Sequence, residues 1–380
     1  MSFSETQLRA MAWSPKFASS LSILGSSFII AETIRDHRSG RGCSVMQRAV
    51  CGVSIVDVLA SLGWFLSTWA APEGLALNSF GNEATCRFQG FLLQIAIGAP
   101  LYNGALMLYY LLVIKYKWSN DRILKLEPYL HVFIWIWCIG TSIVLLSLDL
   151  MNFIGPVCWV SDPPTCFEDE PSGDCGRAKR YATWTFCVPL WIVIVMTIYA
   201  LCNIYFAVRE ADERMQKYSF QGKDIQSRRR SSRDVQKVAL RAVLYSVAFV
   251  ITWTASTIWS VAQYFDYYPF WVSYLWTLME PLQGSWNACI FLYNRPDSRK
   301  RLQWMVQQAS CGLLFPLAEP EDPSSPWRRS SNDTAQHRSS DEEVPSHTEG
   351  GDPDKVEGVI DGGVARHKVQ EKSTRDGGGR

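Results

Sequence analysis

The sequence holds no glycine-rich phosphate loop, no nucleophile triad and no His/Cys/Asp/Glu cluster at metal-ligand spacing. These absences exclude the phosphoryl-transfer, nucleophilic and metal-assisted chemistries that need such motifs. Segments outside the apolar runs are too short or too polar to house an enzyme domain, so no catalysis, cofactor or nucleic-acid partner is expected. No internal repeat or inverted pair of similar halves is visible, which counts against many transporter folds. No cleavable signal peptide is apparent either. The stretch 1–16 carries only Arg9 and Lys16 as basic groups, so the first apolar run is expected to act as an uncleaved anchor. Neither terminus carries a lipidation motif. The only glycosylation triplet, Asn332-Asp-Thr334, falls in a segment expected to be cytoplasmic.

What the chain does hold is seven long apolar runs, at 17–34, 49–70, 88–114, 129–150, 182–208, 238–264 and 270–293. About 20 apolar residues suffice to cross a bilayer as a helix. The first run is the weakest, with five serines. Charge between the runs alternates. The stretches 35–48, 115–127 and 209–237 carry 17 Lys and Arg together, against 3 in 70–85, 151–181 and 265–269. Basic loops stay on the cytoplasmic side, which predicts an outer N-terminus and an inner C-terminus. The 16 tryptophans fit this reading, because Trp64, Trp69, Trp118, Trp259, Tyr267, Tyr268 and Trp271 sit near run ends, where an interfacial belt belongs. The mean hydropathy is near zero only because a polar tail dilutes an apolar body.

The predicted fold is therefore an all-α membrane protein, a seven-transmembrane helix bundle with a disordered cytoplasmic tail. Its expected divisions are a short extracellular N-terminus (1–16), the bundle (17–294), an amphipathic membrane-surface helix (295–312) and the tail (313–380). In the surface helix Arg299, Lys300 and Arg301 alternate with Leu302, Trp304, Met305 and Val306. Cys311 follows, as an acylation candidate or an unmodified thiol. The tail is too poor in apolar residues to offset ordering entropy. Ser330, Ser331, Ser339 and Ser340 are its candidate phosphorylation sites, with a purely solvating tail as the alternative.

Buried ionisable and polar residues are functional candidates in a membrane, where each is costly. Asp57 and Asn287 lie roughly 12 and 10 Å from the inner surface at 1.5 Å per residue, and can share one polar layer. Asn103 and Glu280, both roughly 20 Å deep, can form a second. The four are read as a seam that repacks between two states, against the alternative of static interhelical hydrogen bonds. Pro100, Pro189 and Pro281 mark bends. Pro281, directly after Glu280, is the candidate hinge, with a merely structural kink as the alternative. Trp253 and Trp276 are candidate rotamer-sensitive residues, or ordinary core. The inner cluster Ser227-Arg-Arg-Arg-Ser-Ser-Arg233 either holds orientation against anionic lipid or docks an acidic partner that serine phosphorylation would weaken. No lysine stands in the seventh run, so a retinal Schiff base there is excluded.

Cysteines sort by side. Cys86, Cys158, Cys166 and Cys175 face the oxidising outside, and four cysteines allow three pairings. Cys51, Cys138, Cys187, Cys202 and Cys289 lie in the runs as packing residues.

Seven runs, an outer N-terminus, a cysteine opening the third run and another after the fourth together resemble the G-protein-coupled receptors. Three segments carry the closer resemblance: Cys86-Arg-Phe-Gln-Gly-Phe91, Gly155-Pro-Val-Cys-Trp-Val160, and Pro281-Leu-Gln-Gly-Ser-Trp-Asn-Ala-Cys-Ile-Phe-Leu-Tyr-Asn-Arg-Pro296. They look like the slime-mould cyclic-AMP receptor group, itself similar to secretin-like receptors, over about 15–300. The rhodopsin-like Asp-Arg-Tyr triplet is absent at the inner end of the third run, and Asn287 is followed by Ala288 rather than proline.

The resemblance implies a bridge from Cys86 to Cys158, leaving Cys166 to pair with Cys175; Cys86 with Cys175 is the alternative. It also implies a multi-pass protein of the plasma membrane that converts binding of a small extracellular ligand into activation of a heterotrimeric G protein. Lys115, Lys117, Arg228, Arg229 and Arg230 are then expected to border the G-protein cleft, with a kinase or arrestin-like partner at the tail. Cyclic AMP itself is not expected. Phosphate binding wants buried cations, and only Arg87, Arg177, Lys179 and Arg180 lie near the outer face. The rival class is a small-solute transporter or channel, which needs a continuous polar path.

Overall fold

The computed structural model describes residues 3–40, 42–167, 175–217, 225–265, 267 and 269–311. The tail, with Asn332 and its candidate phosphorylation serines, lies outside them. Helices dominate: α1 (Glu5–Arg38), α2 (Val45–Leu66), α3 (Glu83–Ile95), α4 (Gly98–Ile114), α5 (Asn120–Ser147), α6 (Arg177–Ala182), α7 (Val188–Lys217), α8 (Ile225–Tyr264), α9 (Phe270–Met279), α10 (Gln283–Asn294) and α11 (Pro296–Cys311). One antiparallel hairpin joins α5 to α6 through β1 (Met151–Phe153) and β2 (Cys158–Val160), with Asn152 opposite Trp159.

Among the described residues six helical segments are long and apolar enough to cross a membrane. The seventh apolar run is split. Met279 ends α9, a 3-10 turn covers Glu280–Leu282, and α10 follows. Pro281 lacks the amide proton that would continue the ladder. Pro100 acts alike in the third run, where α3 stops at Ile95 and α4 restarts at Gly98. Before Pro189 the chain takes a π turn over Thr183–Cys187. Each predicted bend thus falls at a break in regular helix.

The first helix departs from expectation, for it begins at Glu5 rather than at 17. Ser4 accepts from the Gln7 amide and Gln7 reaches back to the Ser4 amide, a reciprocal cap. Met11, Ala12, Pro15 and Lys16 are buried. The stretch read as a short outer segment is therefore mostly three turns of packed helix.

Apolar side chains pack inward and outward alike. Trp253, Trp276, Trp159 and Phe186 belong to one buried cluster, and Leu106, Tyr110, Tyr245 and Phe291 to a second. Phe133, Ile136, Ile192, Val195 and Phe206 stand exposed. In water such a surface would promote association; against lipid tails it is at no disadvantage.

Candidate functional site

Asp57 (α2) and Asn287 (α10) meet in the buried interior, where Asn287 Nδ2 donates to Asp57 Oδ2 at 2.9 Å. Glu280, at the break between α9 and α10, is also buried. Its Oε2 accepts from Ser256 Oγ and from Trp276 Nε1, each at 2.7 Å. Neither acid has a cation partner among the described residues. Asp57 and Glu280 flank one cavity of about 10 Å³, walled also by Ser22, Ser61, Trp253 and Pro281. That is space for about one water. Asn103 does not line it; its Nδ2 donates to the carbonyl of Ala99 in its own helix, at 3.0 Å. The expected pair of layers is in fact one cluster, Asp57–Asn287 and Glu280–Ser256–Trp276 around a shared cavity. Depth along a helix places a residue by height but not by azimuth, which is why Asn103 was misplaced.

Tryptophan fills the half of the bundle beneath the hairpin. Trp259 and Trp276 stack with centroids 3.9 Å apart and planes at 15°, and Trp64 meets Trp276 edge-on at 5.1 Å. Trp253 is fully buried, and its Nε1 donates to Gln283 Oε1.

The hairpin closes over this stack. Cys158 is bonded to Cys86, and Cys166 to Cys175. Trp159 packs on Phe186 at 5.1 Å and donates its Nε1 to Gln94 Oε1 at 3.1 Å. Two residues without any sequence signal secure the neighbouring end of α2. A helix leaves its last four carbonyls without internal partners, and here all four are met. Gly63 O accepts from Gln89 Nε2 at 2.9 Å, and Trp64 O from the Ser67 amide. Phe65 O and Leu66 O accept from Lys16 Nζ at 3.4 and 3.1 Å. Gln89 also donates to Ser67 O and accepts from the Cys158 amide, at 2.9 and 2.8 Å. Lys16 further lies over the Trp69 ring, 4.1 Å from its centroid.

At the opposite end charges are paired across helices. Arg295 Nη1 meets Asp36 at 2.6 Å and Arg295 Nη2 meets Gln47 at 2.7 Å. Arg301 and Ser298 of α11 both bond Glu32 of α1. Arg48 of α2 forks onto Glu127 of α5 at 2.5 and 2.6 Å. Arg48→Ala strands a buried carboxylate. A loss of about 1–3 kcal/mol is expected, below the figure for a fully buried pair because Arg48 is partly exposed. Thermal unfolding in detergent, with Arg48→Lys retaining part of the stability, checks this.

A cleft of about 430 Å³ opens there, lined by Asp36, Gln47, Arg241, Tyr245, Asn294 and Arg295 among others. Lys115 and Lys117 do not line it; both are exposed, and Lys115 Nζ bonds Asn203 of α7. Arg228, Arg229 and Arg230 fall on the first turns of α8, but their side chains lie outside the described residues. The surface helix expected at 295–312 is α11, and the Cys311 side chain also lies outside.

A bundle of membrane-crossing helices, with a bridged hairpin over one end and an open cleft at the other, defines a multi-pass membrane protein of receptor fold. Residues 27–294 match the model of the 7 transmembrane receptor (rhodopsin family), and the chain belongs to that family. Its members are signalling receptors, not enzymes. Squid rhodopsin, as a crystal structure, superposes with a TM-score of 0.59 over 85% of this chain and 94% of its own, at 14% identity, a likeness of fold alone. An ascaroside receptor of Arthrobotrys oligospora is 20% identical over 204 residues, 51% of this chain. The chain spans 44% of the length of that relative.

The family match overturns the expected kinship with the cyclic-AMP and secretin-like receptors. That expectation rested on three short segments, 86–91, 155–160 and 281–296, with the two missing motifs counted as departures from the rhodopsin-like pattern. A missing short motif is weak ground, because bundle packing is spread over some 270 residues and survives its loss.

Proposed function

We propose that this chain is a G-protein-coupled receptor of the plasma membrane, its N-terminus outside, which turns binding of a small outer ligand into nucleotide exchange on a heterotrimeric G protein. The observation that carries the reading is the inner cleft of about 430 Å³, floored by Tyr245 and Phe291 and reaching α8 and α10. It offers a Gα helix an entry beside the helices whose packing the buried polar cluster governs. The 17-to-3 excess of basic residues in the alternate loops supports the orientation.

The seven-crossing body occupies 17–294 with α1 extended outward to Glu5, and 313–380 serves as a cytoplasmic tail for a kinase or arrestin-like partner. A ligand acts by binding one of two states better. Trp276 joins the outer tryptophans to Glu280, and Glu280 joins α9 to Ser256 of α8, so a displaced Trp276 alters the packing at the Pro281 break. The name of the Arthrobotrys relative makes ascarosides the first ligands to try. The transporter reading finds no support, because the cavity between the buried acids holds about one water rather than a path.

The test is GDP–GTP exchange on Gα, driven by receptor in lipid nanodiscs. Replacing Arg228, Arg229 and Arg230 together by alanine is expected to cut exchange about tenfold or more, the loss of about 1.4 kcal/mol of coupling. Undiminished exchange would remove these arginines from the coupling surface, and absence of exchange from the wild type would sink the receptor reading.

A further inference from the structure

The centre of the outer half is closed. The space between Trp64, Trp159, Phe186 and the Trp259–Trp276 stack amounts to about 10 Å³, too little for any ligand larger than water. Beside it lies a cleft of about 690 Å³, within the range of small-molecule sites. Its walls come from four elements: Met11 of α1, Leu75 in the loop after α2, Phe153 and Ile154 of the hairpin, and Trp276 of α9.

Two features of this cleft are specific. None of the described residues lining it carries a charge. Its wall also includes Thr68, in the 3-10 turn that follows α2. Thr68 is 5% exposed, and its hydroxyl has no hydrogen-bond partner among the described residues. A buried hydroxyl without a partner carries an uncompensated desolvation penalty, which a ligand supplying one hydrogen bond would remove.

We infer that this cleft between α1, the loop after α2, the hairpin and α9 binds an uncharged amphiphile, an apolar chain or ring bearing one hydroxyl, carbonyl or ether that pairs with Thr68. The inference rests on the receptor reading for its consequence but not for its geometry. A charged ligand would enter this cleft without a counter-charge on its walls, so burial of an anion or cation here is disfavoured. The occupant would touch Trp276 directly, one hydrogen bond from Glu280. It would therefore press on the polar cluster from the side and not from above.

The probe is a diazirine-bearing dodecanol, compared with the corresponding dodecanoate and dodecylammonium, photolysed with the full chain in lipid nanodiscs and mapped by peptide mass spectrometry. Saturable labelling by the alcohol is expected on peptides holding Met11, Leu75 or Phe153, at least tenfold above either charged analogue. Ala12→Trp, which fills the cleft, abolishes it. Thr68→Val preserves shape and is expected to weaken apparent affinity about fivefold, one lost hydrogen bond. Unsaturable labelling confined to lipid-facing positions such as Ile136 and Val195 overturns the inference, as does equal labelling by all three head groups. Exchange assays on the same preparations separate the two readings. Exchange without cleft labelling removes this site and leaves the receptor. Cleft labelling without exchange keeps the site and removes the receptor reading.

Discussion

Gln89→Leu is expected to destabilise the protein by about 3–6 kcal/mol, the largest effect of any single substitution considered. The side chain is fully buried, and its amide serves Gly63 O, Ser67 O and the Cys158 amide together. Leucine matches the volume but leaves three buried backbone groups without partners, at about 1–3 kcal/mol each. The sum is taken toward its lower part because water entering at the hairpin end will satisfy some of them. Ser67 adds to the demand, since its φ of 45° is one that non-glycine residues adopt at a cost and that surrounding contacts must hold. Thermal unfolding in detergent, with the disulfides intact, measures the effect. A loss under about 1 kcal/mol would mean that the hydrogen bonds of Gln89 are dispensable.

Asp57→Asn is expected to leave folding intact and to change basal nucleotide exchange about tenfold, equivalent to about 1.4 kcal/mol between the two states. Asparagine keeps the shape and can still accept from Asn287, so the hydrogen bond of 2.9 Å survives in kind. What disappears is the carboxylate beside the small cavity that Glu280 also borders. Two acids around one water-sized space, without a cation among the described residues, make an arrangement sensitive to any repacking of α10 against α2. Unchanged expression together with unchanged exchange would mean that the polar cluster is static packing, the plainer reading of such hydrogen bonds.

Much of the fold was legible because membrane helices announce themselves by length, and prolines by the hydrogen bond they delete. Pro100, Pro189 and Pro281 each sit at a break, and Asp57 and Asn287 were paired from depth alone. Depth failed for Asn103, since height along an axis says nothing about which neighbour a side chain faces. Gln89, Lys16 and Thr68 carried no visible signal. Their roles depend on backbone groups of segments distant in sequence, such as the carbonyls ending α2, and a single chain does not show who approaches them. Residues 5–16 were read as an outer segment because they are less apolar than the run that follows. The reciprocal cap at Ser4 and Gln7 was the overlooked sign of a helix start. The family was misjudged for a different reason: the likeness of three short segments was weighed above a bundle geometry that no local pattern encodes.

The ion pairs at the end of the bundle away from the hairpin tie several helices together. Glu32 and Asp36 on α1 hold Arg301 and Arg295 at the two ends of one stretch of chain, while Gln47 ties α2 to the same arginine and Arg48 ties α2 to α5. Displacing α11 alone would part Glu32 from Ser298 and Arg301. At that end α1, α2, α5, α11 and the end of α10 are thus joined by charged and polar contacts into one frame. Arg241 of α8 touches it through Asn294, at 3.2 Å. Widening the cleft by a movement of α8 would accordingly have to part Arg241 from Asn294.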